Sequence, residues 1–132
     1  MSGVFARYHE KTGLEFWDNA VAIEAEVYRF TKKLPKGARF THSVPLYKMA
    51  QRVCDRITEA NSIYPSTDAD VQKRRDLIQE AIGYNECIIQ QITRCIWEVG
   101  NINITALDDL GDMLVNESKL LRAWRNSTKA KK

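Results

Sequence analysis

The chain has 132 residues, 44% hydrophobic and 28% charged, which is enough to bury one continuous core and too apolar for a disordered tail. Only 6 Gly and 3 Pro argue against an all-β sandwich, and no run approaches the ~18 apolar residues of a membrane span. The net charge of +3 is mildly basic. Three cysteines without a C-x-x-C pair argue against a secreted disulfide scaffold or a zinc ribbon, and a reducing, cytoplasmic setting is expected. The opening Met-Ser-Gly-Val-Phe-Ala-Arg has no apolar h-region, so no signal peptide is expected.

Residues 1–13 have no firm assignment, and Gly13 sets them apart. From Leu14 the apolar residues recur at helical spacing. Leu14, Trp17, Val21, Tyr28 and Leu34 form one stripe, widened by Phe16, Ala20, Ile23, Val27 and Phe30; Pro35 and Gly37 end it. A second helix starts with Ser43 as cap and Pro45 in the first turn, then buries Leu46, Met49, Val53, Ile57, Ala60 and Tyr64.

The turn at 65–68 leads to the longest helix, over about 70–99, with Asp68 or Asp70 as cap. Its broad face carries Leu77, Ile78, Ala81, Ile82, Ile88, Ile89, Ile92, Cys95, Ile96 and Val99. Gly83 suggests a close helix contact, and Gly100 a C-terminal stop. Thr105-Ala-Leu-Asp108 reads as a capping box for a fourth helix with Leu107, Leu110, Leu114, Leu121 and Trp124, helped by Met113 and Leu120. The expected fold is all-α, an antiparallel up-down-up-down four-helix bundle over 14–126 with a basic tail at 127–132.

No catalytic constellation is evident. A di-metal bundle needs Glu-x-x-His pairs, and neither His9 nor His42 has a Glu three residues earlier. HEPN-type bundle ribonucleases need a longer Arg-to-His spacing than Arg39 to His42 provides, so His42 reads as a polar loop residue near the second cap. Cys54, Cys87 and Cys95 read as small buried thiols, with Cys87 and Cys95 on one side of their helix. Phosphate-binding and hydrolase glycine motifs are lacking. No enzyme and no cofactor is expected.

Charge is unevenly laid out. From Val27 to Cys54 there are seven bases and no acid: Arg29, Lys32, Lys33, Lys36, Arg39, Lys48 and Arg52. After Glu117 there are six more, again with no acid: Lys119, Arg122, Arg125, Lys129, Lys131 and Lys132. In an up-down bundle the first group lies at one pole, while the second joins Lys73, Arg74 and Arg75 at the other. Such clusters neutralise phosphates with little sequence reading, although lysines near helix ends also simply complement the dipole. Trp17, Tyr28 and Trp124 fall on core stripes, so no base-stacking platform is expected from them. Phe16 and Val115 flank the stripes, as surface spillover, the commoner case, or as a contact seam between protomers.

Lys33-Leu34-Pro35-Lys36 and Arg39-Phe40, after the aromatic helix end at 27–31, match a shared pattern. It resembles the superfamily of four-helix-bundle proteins that contains the 23S rRNA intervening-sequence proteins and the accessory variability determinant (Avd) of diversity-generating retroelements. Leu120-Leu121-Arg122-Ala123-Trp124-Arg125 with its lysine tail is similar to the basic carboxyl end of Avd proteins. Intervening-sequence proteins usually carry Gly-Leu-Thr, Gln-Ile-Arg-Arg-Ala and Asn-Ile-Ala-Glu-Gly around helix two. Here 42–50 reads His-Ser-Val-Pro-Leu-Tyr-Lys-Met-Ala and 57–61 reads Ile-Thr-Glu-Ala-Asn, which favours the Avd branch.

The resemblance implies a homopentameric ring with a basic surface. Such a ring binds a reverse transcriptase and its RNA or DNA template, and supports mutagenic retrohoming without catalysing it. Lys32, Lys33, Lys36, Arg39, Arg52, Lys119, Arg122, Arg125 and Lys129 are the expected nucleic-acid contacts. The alternatives are an intervening-sequence-type protein and a structural oligomeric bundle that binds protein alone.

Overall fold

The residue before a proline is pushed out of helical space, and Leu34, ahead of Pro35, is extended (φ −77°, ψ 148°). It closes α1, Glu15–Lys33. The computed structural model describes residues 3–5 and 12–130, so His9, Lys131 and Lys132 lie outside the described residues, as does most of 1–13. After α1 come α2 (Val44–Asn61), α3 (Asp68–Val99) and α4 (Asp108–Ser127). The described residues contain no strand, and no helix among them is long and apolar enough to cross a membrane.

Three helix starts differ from expectation, each for a local reason. Ser43 does not cap α2; it is itself helical (φ −61°, ψ −53°), because Arg39–Ser43 forms a π-turn that runs straight into the helix. The Val44 N–H is already bonded to the Arg39 carbonyl, so the incoming turn does a cap's work. Pro45 does sit in the first turn. At α3 the cap is Thr67, whose Oγ1 accepts from the Asp70 N–H at 3.1 Å; Asp68 and Asp70 instead place negative charge in the first turn. The capping box at 105–108 is absent. Thr105–Leu107 forms a 3-10 turn, and Asn103 Oδ1 accepts from the Ala106 N–H at 3.3 Å. Gly100 stops α3 at φ 74°, a left-handed conformation that suits glycine.

Each helix packs on its neighbours in chain order, and α1 also packs on α4. The core joins Ala20, Ile23 and Val27 to Leu46, Val53 and Ile57, to Ile78, Ile82 and Ile88, and to Leu110, Leu114 and Leu121. On α1 the stripe is rotated from the expected one. Val21 (44% exposed) and Tyr28 (45%) face solvent, Leu14 is exposed, and the residues that only widened the stripe form its centre. Apolar side chains cover so much of α1 that spacing alone does not choose the buried arc. Tyr64 is exposed because α2 ends at Asn61.

Two expectations for α3 also fail. A Cβ at Gly83 would meet nothing within 4 Å, so no helix approaches there. Cys54 and Cys95 are buried, but Cys87 is exposed. Eight residues at about 100° each overshoot two full turns by roughly 80°, which carries Cys87 off the buried arc that holds Cys95.

Candidate nucleic-acid interface

Basic side chains cluster where α1 hands over to α2. Lys32 and Lys33 occupy the last turn of α1, Lys36 opens the 3-10 turn Lys36–Ala38, and Arg39 opens the π-turn; all four are exposed. The Lys32 ammonium lies 4.9 Å from the Tyr28 ring centroid, and Tyr28 meets Tyr47 of α2 at 5.4 Å, which brings the two helices together at this corner. Among the described residues, none of these four cations is in an ion pair.

The π-turn beneath them is fixed from inside. His42, expected as a polar loop residue near the second cap, stands in the π-turn and is only 3% exposed. Gln91 Nε2 donates to the Thr41 carbonyl at 3.1 Å and to His42 Nδ1 at 2.9 Å. Since Nδ1 accepts, the ring proton sits on Nε2 and donates to Glu98 Oε1 at 3.2 Å. Arg39 is exposed while His42 is buried, so they do not share a cleft of the kind a ribonuclease needs.

Arg52 does not belong to this corner. Its guanidinium lies 5.7 Å from the Tyr84 ring and 3.5 Å from the Tyr84 hydroxyl, on the α2–α3 side. A second group runs along the C-terminal half of α4, against α3. Arg122 pairs with Glu86 at 3.5 Å, Arg125 donates to Gln79 and Asn126, and Lys119 and Lys129 are exposed and form no ion pair with the described residues.

Arg74 and Arg75, absent from the expected contacts, anchor this end. Arg74 lies 5.1 Å from the Trp124 centroid, and Arg75 donates to the Thr128 carbonyl at 2.8 Å. Arg74, Trp124 and Lys129 line a cleft of about 280 Å³. The consecutive Lys73-Arg74-Arg75 was the signal for them. Burial lowers the pKa of the Arg74 guanidinium.

The two groups are not one patch. Glu86, which pairs with Arg122, stands 12 residues before Glu98, beside His42, about 18 Å along α3 at a rise of about 1.5 Å per residue. That distance exceeds the ~8–10 Å screening length at ordinary salt, so within one chain the groups interact only weakly.

An acidic and apolar corner adjoins the first basic group. No base occurs between Arg94 and Lys119, while Asp108, Asp109 and Asp112 begin α4. Between α3 and α4 runs an apolar groove of about 510 Å³ lined by Ile89, Ile92, Ile96, Ile104, Leu107 and Val115, with Asp108 and Asp112 on it. Val115 is 51% exposed there. Phe16, the other candidate for a protomer contact, is instead stacked on Trp124 within the chain, at 4.1 Å between centroids and 8° between planes.

The least expected residue is Glu117, fully buried in the bundle. Its Oε1 accepts from Asn19 Nδ2 at 3.0 Å, and its Oε2 is buried with no hydrogen-bond partner among the described residues. Burial pushes the carboxyl up to about 8, against which the Asn19 bond pulls down. Burial also pushes the Cys54 thiol up, reinforced by Glu24. A thiol held neutral is a poor nucleophile. The spacing 110, 114, 117, 121 places Glu117 on the buried arc of α4, and that regular spacing was the available signal. No group of three or more potential metal ligands occurs among the described residues.

No protein-family model matches the chain, and neither a curated protein nor a solved structure does.

Proposed function

We propose that the chain is a non-catalytic, cytoplasmic accessory protein of the Avd type, which binds RNA and DNA together with a retroelement reverse transcriptase. The observation that carries this reading is the corner of Lys32, Lys33, Lys36 and Arg39, four exposed cations with no ion-pair partner among the described residues. Cations that local carboxylates do not neutralise remain available to displace counterions from phosphates. The group at Lys119, Arg122, Arg125 and Lys129 is a weaker candidate, since Glu86 already holds Arg122. Arg52 is weaker still, because Tyr84 holds it.

The bundle is read as antiparallel, up-down-up-down. Supporting this, Phe16 meets Trp124 while Asn19 meets Met113 and Glu117, so α4 descends as α1 rises. Arg52 meets Tyr84 while Arg56 meets Glu80, the same crossing of numbers between α2 and α3.

Pooling of charge is the physical reason to assemble. One chain carries +3, and a homopentamer carries about +15, a field that holds a polyanion far better than a monomer's. The groove of Ile96, Ile104 and Val115 offers apolar area for a neighbouring copy.

That groove, with Asp108 and Asp112, also favours a second reading: a structural bundle whose contacts are with protein alone. Filter binding of RNA and DNA across a salt series separates them. Replacing Lys32, Lys36 and Arg39 by Glu together is expected to abolish salt-sensitive retention with helicity intact. Retention unchanged by the reversals, or no retention by the parent chain even at low salt, removes the electrostatic reading.

A further inference from the structure

We infer that the corner selects single-stranded nucleic acid, by stacking a base on Phe40. The inference rests on the proposed nucleic-acid reading and adds the strand type and the residue that recognises it.

A lone exposed apolar residue is ordinary on a protein surface. Phe40 is set apart by where and how it is held. Its ring is 81% exposed, with the Arg39 guanidinium carbon 5.7 Å from the ring centroid. It stands in the π-turn Arg39–Ser43, a rare backbone form that is found disproportionately at functional sites. The two residues after it are tied inward, Thr41 through its carbonyl to Gln91 and His42 to both Gln91 and Glu98. The backbone is therefore fixed, and the exposed ring starts from a defined position when a ligand arrives.

The surroundings name the ligand's chemistry. From Val27 to Cys54 there is no acid, and Lys32, Lys33, Lys36 and Arg39 are all exposed. Glu98, at this end of α3, accepts from the His42 Nε2–H. An exposed aromatic ring on a tied backbone, among cations that form no ion pair with the described residues, suits a ligand that alternates flat apolar faces with anionic groups. Single-stranded nucleic acid has that form. In a duplex the bases already stack on each other, and their faces are closed to a side chain.

The test compares the full chain with Phe40→Ala and Phe40→Trp on three fluorescein-labelled probes in low salt. The probes are an oligodeoxythymidylate of about 20 nucleotides, an abasic strand of equal length, and a duplex of equal length. The parent chain is expected to hold the oligodeoxythymidylate about fivefold or more tighter than the abasic strand. Phe40→Ala is expected to remove that difference without altering abasic or duplex binding, and Phe40→Trp to restore it. Circular dichroism confirms that the variants stay folded. Equal binding of abasic and base-bearing strands, or no effect of Phe40→Ala, overturns the stacking inference and leaves the charge reading in place. Failure of all three probes to bind the parent chain overturns both. A loss on Phe40→Ala of binding to phosphatidylserine vesicles, but not to the oligonucleotide, overturns the inference in favour of a lipid surface.

Discussion

Asn19 Nδ2 stands 3.0 Å from both the Met113 carbonyl and Glu117 Oε1, so one amide on α1 serves two acceptors on α4. Met113 is four residues before Glu117, and its carbonyl is also the helical acceptor for the Glu117 N–H. The carboxyl is thus gripped on one oxygen, while the other has no hydrogen-bond partner among the described residues.

This arrangement makes stability fall as pH rises. The Glu117 carboxyl titrates near 4.5 in an unfolded chain and near 8 in the folded one. Below pH 4.5 both states hold the proton, so the group has no effect. Between 4.5 and 8 only the folded chain holds it, and each pH unit lowers stability by about 1.4 kcal/mol. Above 8 the loss is complete. Cys54 on α2 and Glu24 on α1 are the neighbouring titratable groups; the thiol stays neutral through this window because burial raises its pKa. Urea unfolding at stepped pH is expected to show this slope, and Glu117→Gln to flatten it. A parent chain and variant with parallel pH profiles would disprove the assignment.

His42 is predicted to hold the π-turn in place. His42→Ala removes the acceptor for Gln91 and the donor for Glu98 in a buried site, a change expected to cost about 1–3 kcal/mol. Hydrogen exchange at 39–43 should speed up ahead of global unfolding. An unchanged melting temperature together with unchanged exchange would show that Gln91, through the Thr41 carbonyl, suffices alone.

Part of the fold was legible where a proline or glycine next to a helix sets its stop. Pro35 and Gly100 ended their helices as read, and Pro45 took the first turn of α2. Starts were less legible. The Ser43 cap was pre-empted by the turn before it, and the Thr105 capping box lost to Asn103, two residues upstream. Burial of polar groups was least legible. Asn85 donates to the Leu114 carbonyl and to Ser118 across α3 and α4, a pairing between residues far apart in sequence that no local spacing specifies. At the candidate interface, charge runs located both basic groups, but which cations were already engaged depended on tertiary partners such as Tyr84 and Glu86.

Gly83 is an exposed residue inside α3 with open space where a Cβ would stand. Glycine within a helix costs roughly 0.5–1 kcal/mol relative to alanine, mostly in backbone freedom of the unfolded chain. Gly83→Ala is therefore expected to stabilise by about that amount, raising the thermal midpoint. A fall in the midpoint would mean that a neighbour occupies that face.

Phe16 and Val115 should separate folding from assembly. Phe16 is spent on Trp124, so Phe16→Ala removes a stacked pair from a half-buried site. The expected cost is about 1–2 kcal/mol of stability, with no change in molecular mass in solution. Val115 is half exposed and lines the apolar groove, so Val115→Asp removes little from the chain's own core. In an assembly that buries this groove, the new carboxylate would be desolvated without a partner, beside Asp108 and Asp112. Light scattering is then expected to show Val115→Asp shifted to monomer while its melting curve barely moves. A parent chain that is already monomeric, or a Val115→Asp variant of unchanged mass, would take the groove out of the assembly and leave the basic corner to act without pooled charge.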